Sequence, residues 1–132
     1  MHNKTSYLII RLALGLSMFG HGLVRMPKLQ KFSEGLVASF ENSMLPELLT
    51  VPFSYVLPIA ELIFGLGVLL GLFTRISAIA IGIVLLSLVF GSTLVENWGA
   101  ITAQFIHIGF VAYIIHHVKD NSYAIDNVIN KN

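Results

Sequence analysis

The chain has 132 residues, of which 55% are apolar and only 11% charged, with a formal net charge of +1 and a mean hydropathy of +0.80. An average soluble domain carries about 25% charged residues, and a 14.5 kDa fold is mostly surface, so its interior could not hide this many apolar side chains. A water-soluble fold is therefore excluded, and the near-neutral balance, with no basic block, excludes nucleic acid as a partner. The chain has no cysteine, which removes disulfide exchange, thiolate metal sites and iron–sulfur ligation from the chemistry it can do by itself.

The apolar surplus must face a lipid bilayer. Spans of about 20 residues each cross a ~30 Å hydrocarbon core, and four of them use roughly 80 positions. The sequence thus predicts an all-α integral membrane four-helix bundle occupying residues 1–132 as a single domain. The first span, residues 7–24, follows Lys4, carries Arg11 and runs into His21-Gly-Leu-Val-Arg25 instead of a small-residue cleavage site, so it reads as a retained span and not a signal peptide. Arg25, Pro27, Lys28 and Lys31 close it with cations that hydrocarbon excludes.

Between the first and second spans, residues 28–49 place Leu29, Phe32, Leu36, Phe40 and Met44 at spacings of three and four, with Lys28, Lys31, Glu34, Ser39, Glu41 and Asn42 on the other side. This periodicity predicts an amphipathic interfacial helix that lies on the membrane surface and roofs the bundle. The second span follows Pro52 and covers residues 53–72. Gly71-Leu-Phe-Thr-Arg75 then makes a tight turn with Arg75 as a cationic anchor. The third span covers residues 76–95, and Glu96-Asn-Trp98-Gly99 forms the next turn, with Trp98 suited to the headgroup layer. The fourth covers residues 100–116. Residues 117–132 read as a polar, water-exposed tail with a short helical turn around 123–129.

Cations near the spans number five on the side of the termini (Lys4, Arg11, Arg75, Lys119, Lys131) and three on the other (Arg25, Lys28, Lys31). This places the chain in the inner, cytoplasmic membrane as a multi-pass protein with cytoplasmic termini.

Several residues are expensive in lipid. Glu61 stands mid-span, where an unpaired charge costs roughly 2.5 to 3.5 kcal/mol, so it is expected to face the bundle interior, as a neutral acid or proton carrier unless a cation pairs with it. Gln104 and His107 lie three residues apart on one helical face, and antiparallel packing brings them and His21 toward Glu61 in the outer half of the bundle. Arg11 is placed to snorkel to the inner interface, with a pairing to Glu61 as the less favoured reading. Gly67 with Gly71, and Ala78 with Gly82, form small-x-x-x-small helix contacts, while Gly20 and Gly22 leave room beside His21. Pro58 frees the carbonyl of Ser54 one turn before the acid.

In combination, Arg11-Leu-Ala-Leu-Gly15, His21-Gly22 with a cation after it, Pro58-x-x-Glu61-Leu and Gly71-Leu-Phe-Thr-Arg75 resemble the DoxX family of small four-span membrane proteins across residues 7–117. The resemblance implies a membrane bundle working beside a respiratory or detoxifying redox system, by analogy with quinone-reducing thiosulfate oxidoreductase subunits. It marks Arg11, His21, Glu61 and Arg75 as pattern positions.

Two functions are then in view. The first is a redox subunit that binds a quinone in an outer-half cavity, with Glu61 and His107 as the catalytic pair, His21, Gln104 and Arg11 as ligand-binding residues, and a membrane-complex partner supplying electrons. The second is a non-catalytic assembly or stabilising subunit of a respiratory complex, or a homo-oligomer, whose polar cluster only locks the helices. No metal site is expected. A bis-histidine haem between His21 and His107 is disfavoured, because two histidines on facing helices are only a necessary condition.

Overall fold

A computed structural model describes residues 3–130. Within them the chain forms six helices: α1 (Lys4–Arg25), α2 (Leu29–Ser39), α3 (Glu47–Leu70), α4 (Thr74–Leu94), α5 (Trp98–His116) and the short α6 (Asp126–Ile129), with 3-10 turns at Met26–Lys28 and Val118–Asp120. Four helices are long and apolar enough to cross a membrane: α3, α4, α5 and a first stretch running from Lys4 to Ser39. α1, α3, α4 and α5 pack in that cyclic order, each against two neighbours.

The bundle is apolar on both its inner and its outer surface. Tyr7, Leu14, Met18, Val68, Ala78, Ile81, Leu85, Val111 and Ile114 fill the core, while Ile9, Leu16, Ile63, Ile83, Leu86, Phe105 and Ile106 stand exposed around it. With no water available to satisfy backbone groups in hydrocarbon, such an outer surface requires helices whose hydrogen bonds are internal. Several polar side chains are buried within it: Arg11, Ser54, Glu61 and Thr74 are each nearly inaccessible.

Local chemistry accounts for the helix ends. The Asn3 side chain accepts from Ser6 N–H at 3.0 Å and opens α1. Gly71, in the left-handed region at φ 67°, ends α3, and Leu72 N–H returns to the Gly67 carbonyl at 2.8 Å. The Asn97 side chain caps α5 through Ala100 N–H.

Backbones touch along the α1–α3 seam. A Cβ at Gly15 would fall 2.6 Å from the Leu69 backbone, and Cβ atoms at Gly22 and Gly65 would overlap the backbones of Leu62 and Phe19 respectively. The seam therefore uses Gly15, Gly22 and Gly65. Gly67 instead lies against Ser77, and Gly71 serves the turn. Gly22 is filled by α3 and leaves no room beside His21, whereas Gly20 faces open space.

The second span and the amphipathic segment depart furthest from their expected bounds. α3 begins at Glu47, six residues before the expected second span, because the extended Pro46 starts it and Pro52, in its second turn, forfeits only one backbone bond. The amphipathic segment expected over 28–49 is helical only from Leu29 to Ser39. Phe40, Glu41 and Asn42 form the turn that follows, and residues 47–49 already belong to α3.

The tail is not free in water. Residues 118–130 fold back on the bundle: Ile125 N–H donates to the Leu70 carbonyl and Asp126 N–H to the Gly71 carbonyl at 2.9 Å, with Asp120 and Ala124 buried. The Asp126 carboxylate accepts from Phe73 N–H at 2.6 Å, Thr74 N–H at 2.9 Å and the Thr74 hydroxyl at 2.7 Å, so it caps α4 from a distant part of the chain. Residues 131 and 132 lie outside the described residues.

Candidate ligand site at the α2 end of the bundle

At the end of the bundle where α1 gives way to α2, the helices diverge around a cavity of about 570 Å³. Every helix except α6 contributes. Its apolar walls are Met18, Phe32, Leu36, Leu57, Leu85 and Leu88, and its polar groups are His21, Arg25, Glu61, Gln104 and His107, with Lys31 and Ser39 from α2. α2 closes one side: Ser33 Oγ lies 2.6 Å from Ser54 Oγ on α3, and the Phe40 ring reaches Gly91 on α4. A second, more apolar cavity of about 300 Å³, lined by Phe40, Leu45, Leu49, Phe53 and Phe90, adjoins the first, with Leu36 as a wall of both.

Glu61 is buried and faces inward, as its cost in lipid requires. Its partner is Arg25, whose Nη1 lies 2.6 Å from Oε2, the cation pairing that the sequence left open. The guanidinium also lies over the Phe32 ring, 4.5 Å from its centroid, which ties α1, α2 and α3 together through one side chain. Arg25 was expected only to close the first span. The signal that could have found it is its spacing of four from His21, which puts both on one face of α1.

The histidines meet at Ser17. Nδ1 of His21 lies 2.6 Å from the Ser17 carbonyl; since a carbonyl only accepts, Nδ1 carries the hydrogen and Nε2 is the ring's free nitrogen. Nδ1 of His107 donates likewise to the Ala103 carbonyl at 2.7 Å, leaving Nε2 to accept from the Ser17 hydroxyl at 2.7 Å. Gln104 donates through Nε2 to Ser92 Oγ at 2.9 Å, while its Oε1 is buried without a partner.

Glu61, His107, His21 and Gln104 therefore all line one cavity. Arg11 does not. It is buried near the other end of the bundle, where Nη1 donates to Asn121 Oδ1 and Nη2 to the Tyr123 carbonyl, both at 2.9 Å. It neither snorkels nor meets Glu61, because the folded-back tail supplies the acceptors that an exposed arginine would find in water. Arg75 is exposed after the α3–α4 turn, and Trp98 is exposed at the start of α5. Among the described residues no group of three or more His, Cys, Asp or Glu gathers.

A ring of four membrane-length helices with a polar cavity at one end defines a small multi-pass membrane protein. The DoxX family model matches residues 6–97, most of the chain, and the protein belongs to that family. No curated protein and no solved structure matches it. The matched residues stop at the head of α5, so Gln104 and His107 lie beyond the shared pattern.

Proposed function

We propose that this protein is a membrane subunit of a redox system that binds a quinone in the cavity at the α2 end, with electrons supplied by a partner. The carrying observation is the convergence of Glu61–Arg25, His21, Gln104 and His107 on one apolar-walled space of about 570 Å³. Ligand sites combine this kind of apolar lining with a few placed polar groups. The adjoining apolar cavity across Leu36 gives a hydrocarbon tail somewhere to lie.

The residues fit such a ligand, because Arg25, in the cavity lining, keeps guanidinium hydrogens beyond the one it gives Glu61, and a ring carbonyl accepts from them. A bound quinone supplies two-electron, two-proton chemistry. The chain's own groups orient the ring and hold protons: Glu61 fixed by Arg25, and His107 as an imidazole whose Nε2 already accepts from a hydroxyl.

In this reading the chain sits in the cytoplasmic membrane with its termini inside and α2 at the opposite surface. Arg11 is consumed by Asn121 and Arg25 by Glu61, leaving Lys4, Arg75 and Lys119 at one end against Lys28 and Lys31 at the other. The direction matches the positive-inside rule.

A specific observation favours the assembly-subunit reading as well: Arg25–Glu61, Ser17–His107 and Gln104–Ser92 each join two helices. Gently purified protein separates the two. Co-purifying quinone, or saturable binding of a decyl-benzoquinone that Glu61→Gln and His107→Ala weaken while the bundle still folds, supports the ligand site. Folded protein that neither carries nor binds quinone leaves the assembly role.

A further inference from the structure

Resting on the reading of this cavity as a quinone site, we infer that it is built for the hydroxyl-bearing, reduced ligand, a quinol or a phenol of the same outline, in preference to the quinone. All but one of the donors of its neutral side chains are already spent inside the protein. His21 Nδ1–H goes to the Ser17 carbonyl, His107 Nδ1–H to the Ala103 carbonyl, one of the two Gln104 Nε2 hydrogens to Ser92, and the Ser39 hydroxyl to the Leu36 carbonyl. Ser17 spends its own hydroxyl hydrogen on His107.

What remains unspent is a set of acceptors. His21 keeps Nε2, Gln104 keeps Oε1, and Glu61 keeps Oε1 once Arg25 has taken its other oxygen. Besides the second Gln104 amide hydrogen, the donors left over are charged: the other guanidinium hydrogens of Arg25, held over Phe32, and the ammonium of the exposed Lys31.

A quinone offers only carbonyl acceptors. It could engage Arg25 or Lys31, but it would leave the buried Gln104 Oε1 with nothing to accept. A quinol offers two hydroxyl hydrogens, and these suit Gln104 Oε1 and one of His21 Nε2 or Glu61 Oε1. An acceptor left unpaired in a site built to be hydrogen-bonded is what separates a hydroxyl ligand from its counterpart lacking the donor. Two such bonds correspond to a preference of about tenfold or more. In a two-electron couple, a tenfold preference for the reduced form raises the potential of the bound ligand by about 30 mV.

The test measures binding of three probes to purified protein in lipid nanodiscs: a decyl-benzoquinone, its hydroquinone, and the bis-methyl ether of that hydroquinone, which keeps the outline and loses both donors. The hydroquinone is expected to bind at least about tenfold more tightly than either of the others. Gln104→Met and His21→Phe should each shrink that gap, weakening the hydroquinone more than the quinone. Quinone binding as tight as hydroquinone binding would mean that Gln104 turns its amide nitrogen to the ligand, and would overturn this inference while leaving the quinone site standing. A methyl ether that matches the hydroquinone would overturn it too. If none of the three binds, both the inference and the reading beneath it fail.

Discussion

Arg25 ends the first helix and Glu61 stands midway along the third, yet Nη1 of one lies 2.6 Å from Oε2 of the other, and the pair forms part of the cavity wall. The close α1–α3 crossing makes this possible, because Gly22 lets its backbone ride on Leu62 and Pro58, one turn from each partner. A charged residue that by position should anchor a span in the headgroups is thereby drawn inward to neutralise a buried carboxylate.

Removing one partner should therefore cost more than removing both. Arg25→Met strands the Glu61 carboxylate and is expected to lower stability by about 3 kcal/mol or more, whereas Arg25→Met with Glu61→Met should cost clearly less than the sum of the singles. Denaturant unfolding in mixed micelles reads this cycle. Additive losses would show that the pair is not coupled.

Gly22→Ala and Gly65→Ala each place a methyl group into the backbone of the facing helix, and each should destabilise by roughly 1 to 3 kcal/mol. Gly20→Ala meets nothing within 4 Å and provides the control, with an effect within about 1 kcal/mol of zero or mildly stabilising. Thermal unfolding of the three variants side by side checks the seam.

Asp126→Ala removes the acceptor for two backbone N–H groups and one hydroxyl at the head of α4. The expected cost is about 1 to 2 kcal/mol, together with faster proteolysis within residues 118–130. Arg11→Met should loosen the same segment from its other side, since Asn121 and Tyr123 lose their donor. Limited proteolysis with mass mapping of the cut sites reads both.

With no native cysteine, single cysteines report sidedness cleanly. Asn42→Cys, in the turn after α2, and Asn130→Cys, after α6, should label from opposite faces of sealed vesicles, with Asn130→Cys reached from the cytoplasmic side. Labelling of both from one face would contradict the bundle's transmembrane arrangement.

The apolar helices were legible because lipid imposes long runs without charge, and a run can be read without knowing its neighbours. Glu61, Gln104, His107 and His21 were legible for the same reason, as polar side chains where hydrocarbon would not tolerate them alone. Arg25 was not, because a cation at the end of a span is ordinarily an anchor, and only the helix crossing shows what it faces. Depth along a span, counted from the helical rise, could place Glu61 but not its partner. The second span was started after Pro52 because proline breaks helix interiors, although it is tolerated close to a helix start. The tail was read as solvated because Asn121 and Asp126 are polar, but their partners are helix ends and a buried arginine rather than water. Arg11 was misplaced with it.

The most direct test of the central claim is photolabelling with an azido-benzoquinone carrying a decyl tail, followed by mapping of the modified residues in native membranes. The account predicts labels concentrated on cavity residues such as Phe32, Leu57, Leu88 and Ala103, competed away by unlabelled quinone and diminished by Glu61→Gln combined with His107→Ala. Labels spread over the lipid-facing Ile59, Ile63, Phe105 and Ile106, indifferent to competitor and to both substitutions, would contradict it.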